Sequence, residues 1–221
     1  MAHIGLFDIV GPIMVGPSSS HTAGAVRLGL AASRILGERV QRAQIFLHGS
    51  FAATYWGHRT DVAVIAGLLG MGMADPEIPR AFELAEQAGL IYSFQSTDLG
   101  DVHPNSVRMK VWGSHEMVDL IGASIGGGRI NIYSIDGFDV SVDGSYSVLI
   151  TRHRDEPGII AEITRVLALY NINIAFLDVS RKVRGLDALL IAQTDDPIPK
   201  EAVEHVLQLR GVMAVRNLPC F

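Results

Sequence analysis

The sequence predicts an α+β protein in two parts: a mixed α/β domain over residues 1–144 and a βαββαβ, ferredoxin-like domain over 147–221. Three observations carry that prediction. From Ser147 onward the apolar runs change period in the order strand, helix, strand, strand, helix, strand, which is the ferredoxin-like order. Upstream, stretches of helical period are interleaved with short β-rich runs, the mark of a mixed layer structure. Between the two lie Asp136-Gly137 and Asp143-Gly144, which supply the positive φ angles of tight hairpin turns. The second pair gives the domain boundary.

Each element has its own reason. The apolar stretch 4–15 fits a strand or a short turn-broken helix. Residues 22–36 read as a helix: Ala25, Leu28, Ala32, Ile35 and Leu36 share one side, Arg27, Arg34 and Glu38 the other, and Gly37 is the stop. Residues 43–49 read as a strand. Residues 60–69 read as a mostly buried helix ended by Gly70 and Gly72, with 55–61 the connection into it. A helix over 79–89 has Pro near its start and Gly after its end. Strands are expected at 91–95, 106–112 and 115–121. In the second domain the strands fall at 147–152, 172–180, 187–193 and 212–218, and the helices at 159–170 and 200–209.

The totals exclude several functions. The chain has 221 residues, 48% of them apolar, enough for a substantial core. The net charge is -5 and no basic run occurs, so nucleic acid is not the expected partner. No apolar stretch reaches the roughly 20 residues of a membrane span. The N-terminal stretch lacks a basic n-region, carries Asp8 and is broken by Gly11 and Pro12, so it reads as folded structure rather than a signal peptide. One cysteine, Cys220, rules out an intramolecular disulfide framework, and a cytoplasmic protein is expected. There is no internal repeat, no GxxxxGK[ST], no dinucleotide fingerprint, no HExxH, no paired CxxC and no GxSxG.

What stands out is "VGPSSSHTAG", residues 15–24. It precedes a predicted helix, and a helix start offers free amides and partial positive charge to a carboxylate. Ser20 or Thr22 caps the helix; the other hydroxyls and His21 are surplus to that need. His21 has the intrinsic pKa to move a proton near neutrality. Taken alone, the run reads equally as a Ser-rich loop with one cap. Three further stretches accompany it. "HGSFAATYWGHRTD" contributes His48, Ser50, Thr54, His58, Thr60 and Asp61. "VHPNSVRM" contributes His103, Pro104 and Asn105. "SIGGGR" contributes Gly126, Gly127 and Gly128, which allow a close backbone approach.

The tail, with its strand running into "TRHRDEPGIIAEITRVLALYNINIAFLDVSR", resembles an ACT domain through the turn Asp155-Glu156-Pro157-Gly158. That resemblance implies self-association through the domain and an amino-acid effector bound near Asp155 and Gly158. Asp155 can cap the helix that follows. The turn also reads as no more than a turn and cap.

The four upstream stretches, in their order, resemble the iron–sulfur L-serine dehydratases, and the whole chain is similar to the beta chain of their two-chain form. One departure is Tyr55-Trp56-Gly57, where one-chain members commonly carry Gly-Lys-Gly. The resemblance implies conversion of L-serine to pyruvate and ammonia. It implies a 4Fe-4S cluster as Lewis acid, without pyridoxal phosphate. Such clusters need several thiolates, so with one cysteine this chain holds no metal of its own. The ligands fall to a partner alpha chain. By the same resemblance His21 is the catalytic base, and Ser18, Ser19, Ser20 and Thr22 bind the substrate carboxylate or shape its pocket. His58, Thr60 and Asn105 are further substrate contacts. Cys220 reads as a tail cysteine or as a capping thiolate for a partner's site. The rival expectation is a non-catalytic subunit that binds serine as effector, as a similar fold does in some phosphoglycerate dehydrogenases, or a free-standing amino-acid sensor.

Overall fold

The computed structural model describes residues 13–220, so the expected element over 4–15 lies almost wholly outside the described residues. The chain forms two compact units that divide between Gly137 and Phe138, at the first Asp-Gly turn.

In the first unit the serine run does not wait for Thr22 to become helical. Ser19–Ala23 form a π-helical turn, with Ala23 N–H bonded to the Ser18 carbonyl at 3.3 Å. It continues directly into α1 (Gly24–Leu36). The cap is Ser18, whose Oγ accepts the His21 N–H, rather than Ser20 or Thr22. Gly37, in the left-handed region at φ 75°, closes α1 as expected. Next come β1 (Arg42–Leu47), α2 (Gly49–His58), α3 (Thr60–Leu68), a 3₁₀ turn (Ile78–Arg80) and α4 (Ala81–Gln87). Then follow β2 (Ile91–Ser96), β3 (Ser106–Trp112), β4 (Met117–Gly126) and β5 (Arg129–Ile135).

The strand order is β2-β1-β3-β4-β5. β1 runs parallel to β2 and antiparallel to β3, and the remaining neighbours are antiparallel. α1 packs on β4, and every residue of α3 is buried. The two helices cross with backbones touching: a Cβ on Gly67 would lie 2.6 Å from Leu30 N and 2.9 Å from the Gly29 carbonyl carbon. Leu28, Ile35, Ile45, Leu47, Met109, Leu120 and Ile132 form the fully buried centre. Each contributes about 1.5–3 kcal/mol by leaving water.

α2 corrects the sequence reading, which placed a connection over 55–61. Only Phe51 of its ten residues is buried, so no apolar period betrays it. It starts where it does because Gly49 sits at φ 53° against Pro104, whose carbonyl accepts the Ser50 N–H at 2.8 Å.

The second unit contains β6 (Phe138–Val142), β7 (Ser147–Arg154), α5 (Ile159–Leu169), β8 (Ile174–Arg181), β9 (Asp187–Thr194), α6 (Lys200–Leu207) and β10 (Val212–Leu218). From β7 on this is the expected βαββαβ order, in an antiparallel sheet β10-β7-β9-β8. Leu149, Leu190 and Ala192 of the sheet pack with Ile163, Leu167, Ala202 and Val206 of the helices. Asp155 does not cap α5. Its Oδ2 accepts from Arg181 Nη1 at 3.0 Å and Gly185 N–H at 2.9 Å, which closes the neighbouring turn and holds its carboxyl below the usual range. Gly158 takes the N-cap position at φ 96°.

Candidate active site

Four stretches scattered over the first unit's sequence converge at the start of α1. The π turn fixes His21 by its backbone, through the Ser18 hydroxyl at 3.1 Å. Its ring Nε2 lies 3.1 Å from Ser50 Oγ, on the first turn of α2. Phe51 packs edge-on to the same ring, and the His58 ring lies 4.7 Å away, centroid to centroid. Thr22 Oγ1 donates to the His58 carbonyl at 3.4 Å, tying the turn to the far end of α2. Burial pushes the His21 imidazole below its ordinary range, and the adjacent His58 adds to that. Both effects favour the neutral imidazole, the form that carries a lone pair.

The other two stretches border this group, Pro104 against Ser50 and Gly126 beside Ser20. His103 Nδ1 accepts the Asn105 N–H at 3.1 Å, and the Asn105 carbonyl accepts from Ser124 N–H at 3.0 Å. Pro104 supports the start of α2. Gly126, Gly127 and Gly128 all adopt positive φ, and Ser20 Oγ lies 3.9 Å from where a Cβ on Gly126 would be. Arg27 Nη1 donates to the Gly128 carbonyl at 2.9 Å and holds that loop against α1. Arg27 thus does not face away from the core side of α1 as its sequence position suggests.

The structure gathers His21, Ser18, Thr22 and His58 into direct contact and brings Ser20 beside the glycine loop. Ser19 and Ser20 are half-buried on the same turn. Thr60 opens α3 after Arg59 turns left-handed at φ 55°; its hydroxyl is buried without a partner, as are Ser124 Oγ and His58 Nδ1. Such unmet capacity costs about 1–3 kcal/mol each and is tolerated most readily where chemistry needs it. His48 belongs elsewhere: its Nδ1 accepts the Leu99 N–H at 3.2 Å. Ser50 and Arg27 are the contacts that the sequence reading did not assign. Ser50 lies in a quoted stretch, but no spacing rule links position 50 to position 21.

Among the described residues no group of three or more His, Cys, Asp or Glu could hold a metal ion, and the single cysteine, Cys220, is exposed. This donor set does not fit a four-iron cluster, which takes several thiolates. No helix among the described residues is long and apolar enough to cross a membrane.

Comparison with known proteins gives the site its context. A family model for "Serine dehydratase beta chain" matches residues 5–91, and one for "ACT domain" matches 146–211. The "Probable L-serine dehydratase, beta chain" of Bacillus subtilis is 38% identical over 218 residues, 99% of both chains. The "L-serine dehydratase, beta chain" of Peptoniphilus asaccharolyticus is 38% identical over 94% of both. The D-3-phosphoglycerate dehydrogenase of Synechocystis is 29% identical over 85% of this chain but 34% of its own length. With near-complete mutual coverage of two beta chains and an ACT domain in the second unit, this chain belongs to the family of L-serine dehydratase beta chains.

Proposed function

We propose that this chain is the beta subunit of a cytoplasmic L-serine ammonia-lyase, active only with an alpha chain that supplies the thiolates of a 4Fe-4S cluster. The observation that carries this reading is the half-buried His21, fixed by its backbone at a helix start among hydroxyls. Ser18, Ser19 and Ser20, with the Ser19 and Ser20 amides, receive the serine carboxylate, since a helix start favours an anion, and Thr22 shapes the pocket by tying the turn to His58. His21 takes the Cα proton. The electron pair left at Cα becomes the Cα–Cβ double bond as the β-hydroxyl departs, so serine loses one water in total. The resulting enamine becomes an imine, and water hydrolyses it to pyruvate and ammonia. His58, Thr60 and Asn105 complete the pocket. No step is assigned to an iron centre within this chain, because its donors do not fit one.

The second unit contributes regulation and self-association in this proposal. A cavity of about 520 Å³ lined by Gly158, Ile159, Glu162, Leu209 and Arg210 supports an effector near Gly158. Asp155 acts there through the turn it closes.

The test is serine-dependent pyruvate formation under anaerobic conditions with iron and sulfide, for this chain alone and mixed with its alpha chain. Turnover is expected only in the mixture. His21→Asn in that mixture is expected to abolish turnover at unchanged iron content. Full turnover by the variant would remove His21 as base. Serine binding without turnover in any mixture would move the reading to the effector-binding subunit.

A further inference from the structure

We propose that Ser50 is the positioning residue of the His21 base: its hydroxyl accepts the Nε2 proton, which leaves Nδ1 as the nitrogen that takes the substrate proton. The inference rests on the reading of His21 as base and names which atom does the work.

The geometry leaves Ser50 little freedom. Its N–H is held by the Pro104 carbonyl at 2.8 Å, and its own carbonyl accepts from Thr54 Oγ1 at 2.8 Å. Gly49 before it sits at φ 53°, with the site of a Cβ only 2.9 Å from Pro104 Cα. That close contact anchors the start of α2 on the segment leading into β3. The Ser50 backbone therefore stands at a fixed point, and the His21 backbone stands at another, set by Ser18. The 3.1 Å contact between Oγ and Nε2 fixes the ring between them, with Phe51 against one edge.

A hydroxyl can donate or accept, and the reaction decides which. Were Ser50 to donate, it would occupy the Nε2 lone pair, and the remaining nitrogen would carry hydrogen and take nothing. A ring that accepts the Cα proton directly must therefore give its Nε2 proton to Ser50 and keep Nδ1 bare. That contact survives the reaction. Once Nδ1 is protonated, Nε2–H donates from a cation, and charge-assisted bonds are the stronger ones. Ser50 thus favours the imidazolium and works against burial and His58, the titratable ring facing His21 from the same helix. The logic is that of a second partner setting a histidine's tautomer.

The test uses the reconstituted two-chain enzyme with Ser50→Ala and Ser50→Thr, measuring kcat and KM against pH. Misplacing a base costs on the order of 10²-fold or less of the proton-transfer advantage. Ser50→Ala is expected to lower kcat by about 10–100-fold with little change in KM. Its acid limb should move to lower pH, because the imidazolium has lost its acceptor. Ser50→Thr keeps the hydroxyl and is expected to retain most of kcat. Histidine ¹⁵N spectra of the full-length chain give a readout independent of turnover: wild-type His21 should show a protonated Nε2 and a bare Nδ1. An Nδ1–H tautomer in the wild type would overturn the inference. So would Ser50→Ala with wild-type kcat and limb, or a folded Ser50→Thr as impaired as Ser50→Ala. These results are separable from failure of the base reading itself, which His21→Asn reports.

Discussion

Replacing Gly24 by alanine should loosen the start of α1 by crowding Ser124. Gly24 is the first residue of α1, directly after the π turn, and α1 lies on β4 at Ser124. A methyl on Gly24 would come within 2.6 Å of Ser124 Cβ and closer still to its Oγ. Carbon atoms rest about 3.5–4.0 Å apart, so Gly24→Ala must push the helix start off the strand. Overpacking of this kind costs about 1–3 kcal/mol, and alanine returns about 0.5–1 kcal/mol of helix preference. The net loss lies between about 0 and about 2.5 kcal/mol. Ser124→Gly removes both obstructing atoms, and the nearest remaining atom, Ser124 Cα, stands at an ordinary 3.5 Å. In that background Gly24→Ala should be neutral or stabilising by up to about 1 kcal/mol, which makes the coupling about 1–3 kcal/mol. Urea unfolding of the four proteins of this cycle measures it. Trp56 and Trp112, the chain's two tryptophans, both lie in the first unit, so their fluorescence reports the relevant transition. A coupling below about 0.5 kcal/mol would show that the helix start does not rest on Ser124.

Three further predictions follow from the same structure. The acid limb of kcat/KM in the reconstituted enzyme should fall below the ordinary histidine value, because burial and His58 hold His21 low; a limb above pH 7 would contradict this. Burial pushes the Asp61 carboxyl up, so its ionised form opposes folding above the ordinary carboxylate range and ceases to do so in acid. Asp61→Asn keeps an acceptor for the Val62 N–H and should raise the melting temperature at pH 7 but not at pH 3; a lower melting temperature at pH 7 would refute the sign. Asp155→Ala should speed hydrogen exchange at the Gly185 amide, whose acceptor it removes, while an unchanged rate would show that the turn closes without it.

The second unit was almost fully legible in the sequence, because each period change coincides with a turn signal, such as Arg184-Gly185 before β9. α2 was not. Its residues carry no apolar stripe, and its start is fixed by Pro104, more than fifty positions away. The serine cap illustrates a different limit. Three adjacent hydroxyls are locally equivalent, and the π turn, not their chemistry, selects Ser18. His21, His58 and the glycine loop were readable as a group because several reactive residue types recur in short stretches of the first unit. Their contacts with Ser50 and Arg27 are set by packing between distant elements and leave no mark in local spacing.

The π turn also sets how this stretch can change in length. In Ser19–Ala23 the hydrogen-bonded loop, Ala23 N–H to Ser18 carbonyl, is one residue longer than in an α-helix. Deleting one serine would put Pro17, which has no side-chain acceptor, three places before His21, where Ser18 Oγ now accepts the His21 N–H. A different side chain would then face the His21 amide, and Gly16, now against the Thr22 side chain, would leave it. Single-residue insertions and deletions at 18–20 should therefore be far more damaging than serine-to-alanine exchanges at the same positions. The count of residues in this run is itself part of the site.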